Sequence, residues 1–119
     1  MGKRYLPEQK GESRQRTNLG EHVNNRLKIH LHQYANRVDL IEKLTITYDF
    51  IDDMFQSSEE EGLMALKYLM EAFAYKDCHL SEIKTILVIS KPFKDIEVIR
   101  PARERLYEIY EAKKAKEIF

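Results

Sequence analysis

The sequence predicts an all-α protein, an antiparallel bundle of three to five helices that follows a disordered basic N-terminal tail. Residues 21–61 contain no Gly and no Pro, whereas a sheet of several strands needs turn residues far more often. Apolar residues in this stretch recur every three or four positions, which is the spacing of one helix face. Ser or Asn followed three residues later by Glu precedes two of the apolar runs, and this capping-box pattern indicates helix starts.

Residues 1–17 are predicted to form a flexible basic tail, and residues 18–119 a single helical domain. After its first methionine the tail holds only two sizeable apolar side chains, so burial cannot offset the entropy lost on ordering. The whole chain of 119 residues is 43% apolar, which is enough to fill one core. Asn18 is the predicted N-cap of the first helix, and Glu21 completes its capping box.

A long helical stripe follows this cap. Its apolar positions are Val23, Leu27, Leu31, Tyr34, Val38, Ile41, Leu44, Tyr48, Ile51 and Phe55. One unbroken helix over residues 21–57 would measure about 55 Å. We therefore expect a break near Asn36–Arg37 or within Thr45–Thr47. Residues 27–32 and 44–48 alternate as strands do, but the helical period extends over more positions and is favoured.

Two or three shorter helices are predicted downstream. Ser57-Ser58-Glu59-Glu60 forms a second capping box, and the helix it opens is expected to end near Lys76–Asp77. Pro101 suits the first turn of the last helix. Between these elements, residues 80–88 fit a short helix, whereas Thr85–Ile89 fits a buried strand equally well. With that strand the fold would be α+β.

The sequence carries no catalytic or metal-binding pattern, so the chain is predicted not to be an enzyme and to need no cofactor. Its four Gly are scattered, which argues against a phosphate-binding loop. His30 and His32 would point in different directions on a helix, and the neighbours Cys78 and His79 would also diverge. We interpret these residues as surface histidines and a packed cysteine.

An acidic cluster is the first candidate binding site. Its carboxylates are Asp49, Asp52, Asp53, Glu59, Glu60 and Glu61. Residues 38–82 carry eleven acids and three bases, a net charge of −8, although the whole chain is neutral. One interpretation is a solvated helix end followed by a capped helix start, and the other is a docking face for a basic partner.

Residues 81–106 hold the second candidate site. Its motif consists of Ser81-Glu82-Ile83, Ile86-Leu87, Ile89-Ser90-Lys91 and Ala102-Arg103-Glu104-Arg105-Leu106. This pattern resembles a sigma-factor-like helix-turn-helix, with Val88 in the turn position and Pro101 inside the second helix. The resemblance implies a DNA-binding regulator whose second helix enters the major groove. The candidate phosphate contacts would be Lys91, Lys94, Arg100 and Arg103, with Arg14 and Arg16 of the tail as a second contact.

The patterns together favour a small non-enzymatic interaction module over the DNA-binding regulator. Such a module would act through helix faces as an adaptor, regulatory subunit or inhibitor, with a protein partner or a second copy. We expect a cytoplasmic location and no membrane contact, because no apolar run reaches the 18 or so residues that cross a bilayer. The N-terminus also lacks the apolar core of a signal peptide, and a single cysteine allows no internal disulfide.

Overall fold

Five α-helices and one 3₁₀ turn form the computed structural model of the protein. Their bounds are α1 Gln9–Ala35, α2 Leu40–Ser57, α3 Glu59–Tyr75, α4 Leu80–Ser90, the 3₁₀ turn Lys91–Phe93 and α5 Arg100–Ile118. The structure describes the backbone of residues 9–118 and the side chains of residues 19–117. Within these residues there is no strand, so the predicted all-α bundle is confirmed.

The alternative strand at residues 85–89 is wrong, because this stretch lies inside α4. Ile83, Ile86 and Leu87 are buried at helical spacing, and Ser90 continues the same face. Glu82 supports the helix start by accepting a hydrogen bond from the backbone N–H of residue 79 at 2.8 Å. Burial of one helical face therefore overrides the strand preference of the β-branched side chains.

Helix α1 begins at Gln9, nine residues before the predicted N-cap at Asn18, so that cap prediction is wrong. Most residues between these positions are Gln, Lys, Glu and Arg, which favour helices, and Pro7 precedes them. A single Gly in this stretch costs only about 1 kcal/mol of helix stability. Residues 1–8 of the predicted tail lie outside the described residues.

The corners between helices follow the predicted breaks closely. α1 ends at Ala35, which confirms the break expected near Asn36–Arg37. The Asp39 side chain then caps α2 by accepting from the backbone N–H of Ile41 at 3.3 Å. The next cap falls one residue later than predicted, because Ser58 rather than Ser57 accepts from the third backbone N–H of α3, at 3.0 Å.

Helix α3 is the central element, because it contacts all four other helices. The core draws side chains from every helix. Its fully buried members include Val23, Met54, Leu66, Leu69, Met70, Phe73, Ile83, Ile86 and Leu106. Each large apolar side chain removed from water contributes about 1.5–3 kcal/mol, which holds the bundle together without a disulfide.

The outer helix faces are mainly charged, and α1 and α5 are polar on average. A few large apolar side chains are nevertheless exposed, and Val38 and Ile41 at the corner between α1 and α2 are among the most exposed. None of the described helices combines the length and the apolar character that crossing a bilayer requires.

A close contact between α2 and α3 depends on glycine. Gly62 is buried on α3, and a Cβ atom at this position would overlap the ring of Phe55 from α2. The Phe55 ring also stacks on Phe93, with ring centroids 5.0 Å apart. The absence of a side chain at Gly62 therefore allows the Phe55 ring, with Phe93 stacked on it, to pack closely against α3.

We predict that Gly62→Ala lowers the free energy of unfolding by about 1–3 kcal/mol, because the added methyl overpacks the Phe55 ring. Gly20→Ala is the matched control, since its Cβ would meet only the Tyr68 hydroxyl at an ordinary 3.6 Å. That control should gain up to about 1 kcal/mol, the helix preference of Ala over Gly. Urea denaturation of both variants measures the difference, and equal changes at the two sites would contradict the contact.

Candidate functional site

The six carboxylates of the predicted acidic cluster lie on two successive helices. Asp49, Asp52 and Asp53 lie in the second half of α2, and Glu59 to Glu61 form the first turn of α3. Only Ser58 separates the two helices. We call these six residues the acidic corner.

Helix α1 neutralises part of the acidic corner. Arg26 lies 3.5 Å from Asp53 Oδ2, and His22 Nε2 lies 3.5 Å from Glu61 Oε1 without hydrogen-bond geometry. Glu59 and Glu60 are exposed and form no ion pair with any described residue. The part of the acidic corner on the first turn of α3 is therefore open to a partner.

The predicted helix-turn-helix is wrong in its geometry. Helix α4 continues through Val88, the predicted turn position, as far as Ser90. The nine residues from 91 to 99 then form the 3₁₀ turn and further turns before α5 begins, whereas a helix-turn-helix needs a turn of three or four residues. The connection between α4 and α5 is therefore too long for the predicted helix-turn-helix.

Three of the four basic candidates in this region contact acceptors of their own chain. Arg103 donates from Nε to Ser90 Oγ and from Nη2 to the Leu87 carbonyl, both at 3.0 Å, and so caps the end of α4. Arg100 donates to the backbone carbonyl of Asp95 at 3.0 Å. The third of them, Lys94, lies 4.0 Å from Asp95 Oδ2, and both Lys91 and Lys94 are exposed.

Arg14 and Arg16 are on helix α1, and their side chains lie outside the described residues. The structure therefore does not place them beside the other basic candidates. DNA binding stays a prediction, although the helix-turn-helix that suggested it is absent. A change of anisotropy of labelled duplex DNA that weakens steeply with salt would be its signature.

A mainly apolar depression lies along α3, and we call it the α3 groove. It is lined by Glu60, Leu63, Met64, Lys67, Tyr68, Ile96 and Val98 and has a volume of about 390 Å³. Five residues of α3 form one wall, and two residues of the turn before α5 form the other. Val98 is the most exposed of its apolar lining residues, with 49% of its surface open to solvent.

The lining of the α3 groove holds one carboxylate and one cation. The carboxylate, Glu60, is exposed and forms no ion pair with a described residue, and the cation, Lys67, is paired with Glu71 at 2.9 Å. Glu97 is exposed in the turn between the two lining residues Ile96 and Val98. The groove thus combines an apolar floor with an unpaired carboxylate at Glu60, which is also part of the acidic corner.

Cys78 is packed in the hydrophobic core of the bundle. Cys78 is buried, and burial together with the nearby negative charge of Glu82 raises the pKa of its thiol to about 11. At neutral pH the group is therefore a thiol, and nucleophilic cysteines react as thiolates.

In the part of the chain that the structure describes, no group of three or more His, Cys, Asp or Glu is placed to hold a metal ion.

The α3 groove was missed by the sequence analysis, since its walls are more than 25 residues apart in the chain. A usable signal was the alternation of Asp95, Ile96, Glu97 and Val98, which exposes apolar and acidic side chains together. Glu60 was part of the predicted acidic cluster and is the one residue that the two sites share.

No protein-family model matches this chain, and no curated protein or solved structure matches it either. The class of protein is therefore defined by the fold alone, as a small all-α bundle.

Proposed function

We propose that this chain is a non-enzymatic protein-interaction module of the cytoplasm that binds a protein partner in the α3 groove. The observation that carries this proposal is the groove itself, a mainly apolar surface between α3 and the turn before α5 whose polar lining residues are Glu60 and Lys67. A contiguous apolar patch rimmed by polar groups is typical of interaction sites on small proteins. The partly exposed lining would lose its remaining contact with water when a partner covers it.

The proposal is tested with three charge insertions at exposed aliphatic residues on different surfaces. Val98→Glu changes the α3 groove, Val88→Glu changes the outer face of α4, and Ile41→Glu changes the corner between α1 and α2. The three side chains are 49%, 54% and 72% exposed, so each variant is expected to fold. Circular dichroism and thermal unfolding verify this before any binding experiment.

Each purified variant is used to capture partners from the source cells, and the captured proteins are quantified by mass spectrometry against wild type. We expect one or a few proteins to be retained by wild type, Val88→Glu and Ile41→Glu and to be lost with Val98→Glu. A charge placed on an apolar interface is strongly destabilising because it loses its water without gaining a partner. Partners that survive Val98→Glu, or that are lost with Ile41→Glu instead, would refute the groove as the binding surface.

A further inference from the structure

We infer that the α3 groove receives a basic amphipathic α-helix of two to three turns. This inference rests on the proposed function and specifies the chemistry of the partner. It follows from three features of the groove, which are its length, the backbone of its walls and the charge of its rim.

The length of the groove matches a short helix. Its α3 wall extends from Glu60 to Tyr68, eight residue steps or about 12 Å along the helix axis. An occupant helix of the same length has two to three turns. It would present apolar side chains at positions i, i+3 or i+4, and i+7 to the floor formed by Leu63, Met64 and Ile96.

The backbone of the walls favours a helix over an extended peptide. One wall is α3, whose backbone groups bond within the helix. The other wall is a turn in which the N–H of Ile96 bonds to Phe93 and the N–H of Ile99 bonds to Ile96, at 3.0 and 2.9 Å. Neither wall is a strand edge, so an extended peptide would bury backbone groups without partners. A helix pairs its own backbone N–H and C=O groups, so it buries no unpaired backbone group when it enters the groove.

The charge of the rim favours a basic occupant. Glu60 lines the groove and Glu59 precedes it in the first turn of α3; both are exposed and form no ion pair with a described residue. The only cation of the lining, Lys67, is held by Glu71. On the other wall, Glu97 is exposed in the turn between the lining residues Ile96 and Val98. Lys or Arg beside the apolar stripe of the partner would therefore meet unpaired carboxylates at the start of α3, which speeds association and orients the helix.

The experiment is a selection of random 18-residue peptides displayed on phage against the immobilised full chain, with removal of peptides that also bind Val98→Glu. We expect the enriched sequences to share apolar residues at helical spacing flanked by Lys or Arg. One such peptide, synthesised with a fluorophore, is then titrated by anisotropy with wild type and with each variant. Placing Pro in the middle of the peptide should abolish binding, because Pro breaks a helix.

The variants separate apolar from electrostatic contributions. Val98→Glu should weaken the peptide by more than about tenfold, and Glu60→Lys with Glu97→Lys by about three- to tenfold, as expected for exposed ion pairs. Val88→Glu, at an exposed position of α4 that does not line the groove, should change affinity by less than about twofold. Raising the salt concentration should weaken wild type more than the charge-reversed variant.

Enriched peptides that lack the helical period, carry acidic flanks, or tolerate the central Pro would overturn the inference. So would a selection that yields no peptide sensitive to Val98→Glu. The cellular capture described above is independent of this result. A partner lost with Val98→Glu that binds through an extended or acidic segment would retain the proposed function and reject the basic helix.

Discussion

Acidification from pH 7 to pH 4 is expected to lower the free energy of unfolding through one residue, His30, by about 3 kcal/mol. Burial lowers the pKa of His30 from 6.5 to about 4 in the folded protein. Between pH 6.5 and about pH 4, residue 30 binds a proton in the unfolded chain but not in the folded chain. The stabilisation is therefore complete above pH 6.5 and is lost as the pH falls toward 4.

The surroundings of His30 explain why the neutral ring is preferred. The sequence analysis interpreted His30 as a surface residue, and this is wrong, because only 3% of the residue is exposed. Its ring stacks on Phe50 with centroids 4.7 Å apart. The Thr47 hydroxyl donates its single proton to the carbonyl of Lys43 at 2.9 Å, so His30 Nε2 must be the donor in its 3.3 Å contact with Thr47 Oγ1. Nδ1 has no hydrogen-bond partner among the described residues, and a proton there would be a buried charge without an acceptor.

The test compares urea denaturation of wild type and His30→Phe at several pH values between 4 and 7. The Phe ring can keep the stacking contact with Phe50 but cannot bind a proton. As the pH falls from 7 to 4, the free energy of unfolding of wild type should decrease by about 3 kcal/mol relative to that of His30→Phe. His32→Phe, at an exposed position of the same helix, is the control and should leave the wild-type pH dependence intact. Parallel curves for wild type and His30→Phe would mean that folding does not lower the pKa of His30.

The helical fold was predictable because its signals are local. The apolar stripe from Val23 to Phe55 recurs with the period of a helix, and a single helix along it would have been too long for a small core. That argument placed the break near Asn36–Arg37, where α1 ends. The start of α1 and the exact cap of α3 were missed because several residues in each stretch have similar capping and helix preferences.

The functional surface was harder to predict because it depends on tertiary contacts. Leu63 and Val98 form one groove only after α3 and the turn before α5 have packed together. The helix-turn-helix failed for a related reason, since the buried face of α4 continues through Val88 and moves the turn beyond the expected position. Arg103 was predicted as a phosphate contact, but its sequence position could not reveal that it caps α4.

A buried hydrogen bond between α1 and α4 provides the second large expected effect. The Tyr34 hydroxyl donates to Glu82 Oε1, and both residues are almost fully buried. Burial and this hydrogen bond raise the pKa of Tyr34, so its hydroxyl remains a donor. The second carboxylate oxygen of Glu82 accepts the backbone N–H of His79. Tyr34→Phe would leave the first oxygen buried without its donor.

We expect Tyr34→Phe to lower the free energy of unfolding by about 1.5–3 kcal/mol, the range for a lost hydrogen bond to a charged group. Tyr107→Phe removes the same hydroxyl from a half-exposed residue and should change stability by less than about 0.5 kcal/mol. Urea denaturation at pH 7 measures both variants.

A double-mutant cycle with Glu82→Ala then isolates the Tyr34–Glu82 interaction. The double variant should lose less stability than the sum of the single variants, because each single change leaves a buried polar group unpaired and the double change removes both. Additive losses would show that the Tyr34 hydroxyl does not stabilise the bundle through Glu82. The edge-to-face contact between the ring of residue 34 and Phe73, with centroids 5.5 Å apart, can be kept in both Tyr34 variants.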